Sequence, residues 1–108
     1  MLKTYKYSVD FSNVKHFIEI HEVLKRDLEL PDYYGGTMDA LWDSLTDMLG
    51  GINYIEIHGF DIIKKKYPEE SREIYSIIKK TKHAYSDKYS DRFFVTIIHE
   101  DGTCEEIK

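Results

Sequence analysis

Cysteine is almost absent from this 108-residue sequence: Cys104 stands alone. No internal disulfide can therefore staple the fold, and with no Cys or His at metal spacing nearby, Cys104 reads as a strand residue rather than a catalytic thiol. Long apolar runs are missing as well. No stretch approaches the roughly 18 apolar residues of a membrane span, and the opening MLKTYKYSVDF has no run of signal-peptide length. A cytoplasmic location and no membrane partner are expected. Repeats and low-complexity tracts are absent, and the length suits one domain spanning residues 1–108.

Signatures of chemistry are equally scarce. There is no Gly-x-Ser-x-Gly elbow and no phosphate-cradling glycine loop. Gly35-Gly36 precedes a helix start, but Asp39 in that first turn would already occupy the dipole and repel a phosphate. Five histidines invite a metal, yet His16 and His21 are five apart, about 140° around a helix, and His58, His83 and His99 fall on separate elements. No metal, no cofactor and no catalytic residue are expected.

Basic residues are missing over one long segment. From Asp27 to Ile63 there is no Lys or Arg, while Asp27, Glu29, Asp32, Asp39, Asp43, Asp47, Glu56 and Asp61 all fall inside it. The chain as a whole is only −5, so its remainder is net positive. Such a field steers a positive partner to the middle of the chain and repels nucleic acid. Lys64-Lys65-Lys66, with Lys79, Lys80, Lys82 and Lys88, reads as a solvated helical face rather than a nucleic-acid site.

What is present suits a folded domain, with 42% hydrophobic and 32% charged residues. TYKYSVDF alternates, predicting a strand from Thr4 to Val9. Ser12 or Asn13 can cap a helix from Val14 to Leu28, with Val14, Phe17, Ile18, His21, Leu24, Lys25 and Leu28 at helical spacing. Pro31 stops it, Tyr-Tyr-Gly-Gly loops, and a second helix runs from Thr37 to Leu49 until Gly50 and Gly51 end it. Ile52 to Ile57 alternate as a strand. A helical turn over Asp61–Lys66 and a longer helix from Pro68 to Thr81 follow, with Pro68 in its first turn and Ile74, Ile77 and Ile78 on its buried side. HAYSDKYSD reads as a loop, Phe93 to His99 as a strand buried on both faces, and EDGT as a hairpin turn returning a short edge strand. Strands separated by helices predict an α/β fold with a mainly parallel sheet.

The stretch PDYYGGTMDALWDSL is the informative one. Asp39 and Asp43, four apart, project from one helical face with no cation beside them, at a cost of roughly 0.2–0.5 kcal/mol in an isolated helix. A cationic pocket on a partner would offset that. An enzyme could use the two carboxylates as acid and base, but neighbours on one exposed helix do not flank a bond. Trp42 suits the core, with one edge left for a contact surface.

This stretch, with LKRDLELP before it and YIEIHGF after it, resembles the barstar family of intracellular ribonuclease inhibitors. The resemblance extends more loosely to the last helix and FVTII. It implies a barstar-like fold, three mainly parallel strands packed against helices, here with a short C-terminal hairpin strand. It also implies inhibition by occlusion of a barnase-like ribonuclease or RNase toxin, acidic side chains taking the place of RNA phosphates. The implied interface is Tyr33, Tyr34, Gly35, Thr37, Met38, Asp39, Trp42, Asp43 and Asp47. Tyr33 would pack near the nuclease's catalytic histidine, and Gly35 would allow close backbone approach. Asp39 and Asp43 would meet active-site arginines and lysines, Asp43 being the dominant anchor, while Trp42 would pack behind the loop. The alternative is a barstar-like interaction or regulatory module whose partner is not a nuclease. Against the family pattern, Gly36 and Thr37 replace an acid and an asparagine, Ser44 replaces a cysteine, and Lys79-Lys80-Thr81 stands where an interface glutamate is expected. HAYSDKYSD is an insertion, and the C-terminal hairpin extends past the usual end.

Overall fold

The computed structural model describes residues 2–85 and 87–108. In chain order it runs β1 (Thr4–Asp10), α1 (Glu19–Asp27), α2 (Met38–Asp47), β2 (Ile52–His58), α3 (Phe60–Lys66), α4 (Pro68–Lys82), β3 (Phe93–Ile98) and β4 (Cys104–Ile107), with short 3-10 turns at Met48–Gly50 and Ser90–Arg92. The sheet order is β1-β2-β3-β4. Helical crossovers make β1–β2 and β2–β3 parallel, and the tight EDGT turn makes β3–β4 antiparallel. The hairpin strand joins the sheet, so it has four strands, three of them parallel.

Period-two alternation sorts the strands into two faces. Val9, Ile57 and Ile97 lie side by side in register, as do Ile55 and Val95, and all are buried. Leu24 of α1, Leu41 and Leu45 of α2, and Ile74 and Ile78 of α4 cover this face and complete the core. On the other face Lys6, Ser8, Tyr54 and Glu56 are exposed. Within β3, Phe94, Thr96 and Ile98 are half-buried between the buried Phe93, Val95 and Ile97. The expectation of a strand buried on both faces is therefore corrected. Helices cover one face only, and the apolar residues of the other cover one another, Tyr54 stacking on Phe94 at 5.1 Å.

The first helix also begins later than its periodicity suggests, at Glu19 instead of Val14. Ser12 does not cap it. Asp10 takes the Ser12 N–H at 2.8 Å, and the Glu19 carboxylate accepts from the N–H groups of Lys15 and His16 at 2.9 and 2.7 Å, so these donors are satisfied outside a helix. Phe17 and Ile18 are consequently exposed, and the buried stripe is Ile20, Val23 and Leu24. The loop predicted after α4 consists of turns and the Ser90–Arg92 3-10 turn; its Ser86 lies outside the described residues.

One buried polar residue joins the 3-10 turn after α2 to the sheet. Asn53 is 1% exposed, and its amide nitrogen donates to the carbonyls of Met48 (2.6 Å), Gly51 and Arg92 (both 3.3 Å). A loop carbonyl without such a donor would be costly in the interior.

Candidate functional site

The chain leaves α1 through Leu28, and Glu29 takes a left-handed conformation (φ 53°) ahead of Pro31. The loop that follows is fastened to α1. Lys25 donates to the Asp32 carbonyl at 3.3 Å, the Tyr34 N–H donates to the Pro31 carbonyl at 2.9 Å, and Tyr34 Oη meets His21 Nδ1 at 2.5 Å. Burial pushes the Tyr34 phenol up to about 12 and pushes His21 below its ordinary value, so near neutrality the phenol keeps its proton and the imidazole keeps a lone pair to receive it. Gly36 has φ +67°, a conformation that disfavours side chains, and turns the chain directly over His21.

Thr37, in extended conformation, then starts α2. Its Oγ1 accepts from the Ala40 N–H at 3.1 Å, an N-cap that fixes where the helix begins. Leu41 and Leu45 go to the core, so the intervening turns present Asp39, Asp43 and Asp47 to solvent. None of the three carboxylates takes part in a side-chain hydrogen bond or in an ion pair among the described residues.

The nine residues expected at an interface form one continuous stretch but not one pocket. Tyr33 is 86% exposed and projects from the loop. Tyr33, Tyr34, Gly35, Asp43 and Asp47 border a groove of about 550 Å³ between the loop and α2, with Glu29 on its far side. Asp39, Thr37, Met38 and Trp42 lie outside it. Met38 and Trp42 are half-buried against the core, and Trp42 faces α4, where the Lys80 ammonium sits 4.9 Å from the ring centroid. Asp39 and Asp43 thus do not face each other across a cleft. Among the described residues no group of three or more His, Cys, Asp or Glu is arranged to hold a metal ion.

Sequence reasoning missed the contributions that come from elsewhere in the chain. His21 under Tyr34 is visible only as one polar member of an amphipathic stripe, and Tyr7 and Glu29 reach the groove through tertiary packing. Lys80 over Trp42 follows from the packing of α4 against α2, which no local pattern records. No helix among the described residues is long and apolar enough to cross a membrane.

Comparison with known proteins agrees with this architecture. The model of the family described as "Barstar (barnase inhibitor)" matches residues 5–98, from the start of β1 to the end of β3. A Bacillus subtilis (strain 168) protein named "Putative ribonuclease inhibitor YrdF" is 28% identical over 80 residues, covering 74% of this chain and 85% of that protein. With the family match running through the three parallel strands, the helices that cover them and the acidic loop–helix stretch alike, the chain belongs to the barstar family.

Proposed function

We propose that this protein is an inhibitor of a ribonuclease, acting as an immunity protein rather than as an enzyme, and that it blocks the nuclease active site with the loop from Tyr33 to Gly36 and the exposed face of α2. The observation that carries the reading is the state of Asp39, Asp43 and Asp47: exposed on one helix, unpaired within the described residues, in a segment without a Lys or Arg from Asp27 to Ile63. Carboxylates so placed match the charge of an RNA backbone to a basic active site. Desolvation between two proteins would strengthen each pairing well beyond its value at a free surface. Tyr33 supplies an exposed aromatic next to the acids, the composition typical of interface anchors. An enzyme using Asp39 and Asp43 as a pair calls for a cavity around both, and the groove takes in Asp43 while leaving Asp39 outside.

The proposed partner is a barnase-like ribonuclease or RNase toxin. Lys80 on Trp42 adds a cation at the margin of the acidic surface, which suits a partner whose basic site is bordered by an acid or a carbonyl. The test is titration of barnase and related small ribonucleases with this protein, read as residual RNA cleavage. Stoichiometric inhibition by the wild type that weakens on Asp39→Ala and Asp43→Ala is expected. Tight association that leaves cleavage intact would instead assign the chain to a regulatory, non-nuclease role.

A further inference from the structure

The turn after β3 and the strand β4 lie beyond the residues matched by the family and border a second groove, of about 460 Å³, lined also by residues of α3 and α4. Phe60 and Ile97 contribute apolar walls, and Asp61, Tyr75, His99 and Glu105 bring polar groups from four elements to its margin. His99 is the centre of this cluster. Its Nδ1 lies 2.9 and 3.1 Å from the two oxygens of Asp61 at the start of α3, and its Nε2 lies 3.0 Å from Glu105 Oε1 on β4. The other Glu105 oxygen accepts from the Tyr75 hydroxyl of α4 at 2.8 Å, and Asp61 Oδ2 also accepts the Glu100 N–H at 3.1 Å.

Donor arithmetic gives this arrangement a direction. A carboxylate only accepts, so an imidazole bridging two carboxylates must donate from both nitrogens, and only the imidazolium has two N–H groups. The two sides are not equivalent once a proton is lost. Nδ1 faces both oxygens of Asp61, whereas Nε2 faces a single oxygen of the more exposed Glu105. The proton therefore stays on Nδ1, and the Nε2 lone pair is left against the Glu105 carboxylate. We propose that His99 is a proton-operated clasp: as an imidazolium it ties α3 to β4, and on losing its Nε2 proton it lets go of Glu105 and loosens the C-terminal strand beside the groove.

The surrounding charges fit this role. Hydrogen bonding to Asp61, then to Glu105, raises the affinity of His99 for its proton. Both partners are held below the usual carboxylate range, Asp61 chiefly by the Glu100 N–H and then by His99, Glu105 chiefly by Tyr75 and then by His99. Lys64 of α3 and Arg72 of α4 line the same groove as opposing positive charges, and Glu100 and Asp101 in the hairpin turn add negative ones. Because the folded affinity is raised, the clasp is complete below about pH 6.5 and is lost as pH rises through the folded pKa. Ile107, 1% exposed and paired with Val95, keeps the far end of β4 seated throughout.

Heteronuclear NMR of the full chain between about pH 5 and 9 tests this. The His99 midpoint is expected above the ordinary value of about 6.5. With the same midpoint, amide protection in β4 should fall about tenfold beyond the intrinsic base-catalysed rise, equivalent to one lost charge-assisted hydrogen bond. Glu105→Gln should lower the midpoint and remove the coupled step, while Glu106→Gln, on the opposite sheet face, should leave both unchanged. A midpoint at or below the ordinary value, or β4 protection indifferent to it, overturns the proposal. Should Glu105→Gln fail to seat the hairpin, the neutral tautomer of wild-type His99 decides: a proton found on Nε2 also overturns it.

Discussion

Gly59 links β2 to α3 at φ +74°, ψ 11°, and replacing it with alanine tests how tightly the sheet end is packed. Two penalties are separable there. A left-handed conformation costs an L-residue roughly 1–2 kcal/mol wherever it occurs. In addition, a Cβ built on Gly59 would stand 2.4 Å from the Ser12 nitrogen and 2.8 Å from the Phe11 carbonyl carbon, distances that require something to shift. What must shift is backbone. Phe11 is fully buried and its N–H donates to the His58 carbonyl at 2.8 Å, so the segment cannot retreat without breaking that bond or opening the core. Overpacking of this kind costs about 1–3 kcal/mol, and Gly59→Ala is expected to lose about 2–5 kcal/mol in total. Gly102→Ala is the internal control: φ is +87°, but nothing lies within 4 Å of the added carbon, so only the conformational penalty of about 1–2 kcal/mol applies. Gly36→Ala, at φ +67° with His21 Cβ at an ordinary 3.7 Å, should behave like Gly102→Ala. Urea unfolding of the three variants, compared at equal m-value, gives the numbers. If Gly59→Ala falls within about 0.5 kcal/mol of Gly102→Ala, the steric part of the reasoning is refuted.

Three further outcomes are expected. Asn53→Leu removes the side-chain donor shared by the Met48, Gly51 and Arg92 carbonyls, Met48 keeping only the Gly51 N–H, and a loss of about 1–3 kcal/mol in chemical denaturation should follow, with the 3-10 turn after α2 losing amide protection first. Asp39→Ala and Asp43→Ala should leave stability within about 0.5 kcal/mol of wild type, since neither carboxylate has a partner among the described residues, and should each weaken ribonuclease inhibition by about 2–5 kcal/mol in Kd measurements. Burial lowers the His21 proton affinity in the folded state, so its contribution to stability is present above about pH 6.5 and is lost as pH falls toward the folded pKa. His83 and His99 act in the opposite sense, so the difference between wild type and His21→Gln across pH isolates the His21 contribution; a difference that does not change with pH would show that His21 binds its proton equally in both states, against the burial effect.

Most of the fold was legible because its signals are local. Alternation in TYKYSVD and INYIEIH, Pro31 and Pro68 at helix boundaries, and EDGT at the hairpin each act over a few residues, and each element appears where they place it. The start of α1 was not legible because Ser12 and Asn13 look like caps, while the competing acceptors, Asp10 and Glu19, are ordinary acids until the chain is folded around them. The open face of β3 was hidden because Phe94, Thr96 and Ile98 are as apolar as a covered strand would need. At the candidate site the acidic stretch could be read directly, since its elements are contiguous. His21, Tyr7, Glu29 and Lys80 could not, because each enters through contacts between distant segments.

The unpaired aspartates of α2 also bear on the free molecule's response to ionic strength. Three like charges along ten residues repel one another across water, and none of them has an ion-pair partner among the described residues. Added salt, with a Debye length of about 10 Å at 0.1 M, shields this repulsion and should steady the isolated protein even as it slows capture of a basic partner. Engineering the helix for durability with lysines would therefore work against recognition: the least comfortable surface of the solitary chain is the one a cationic partner would complete.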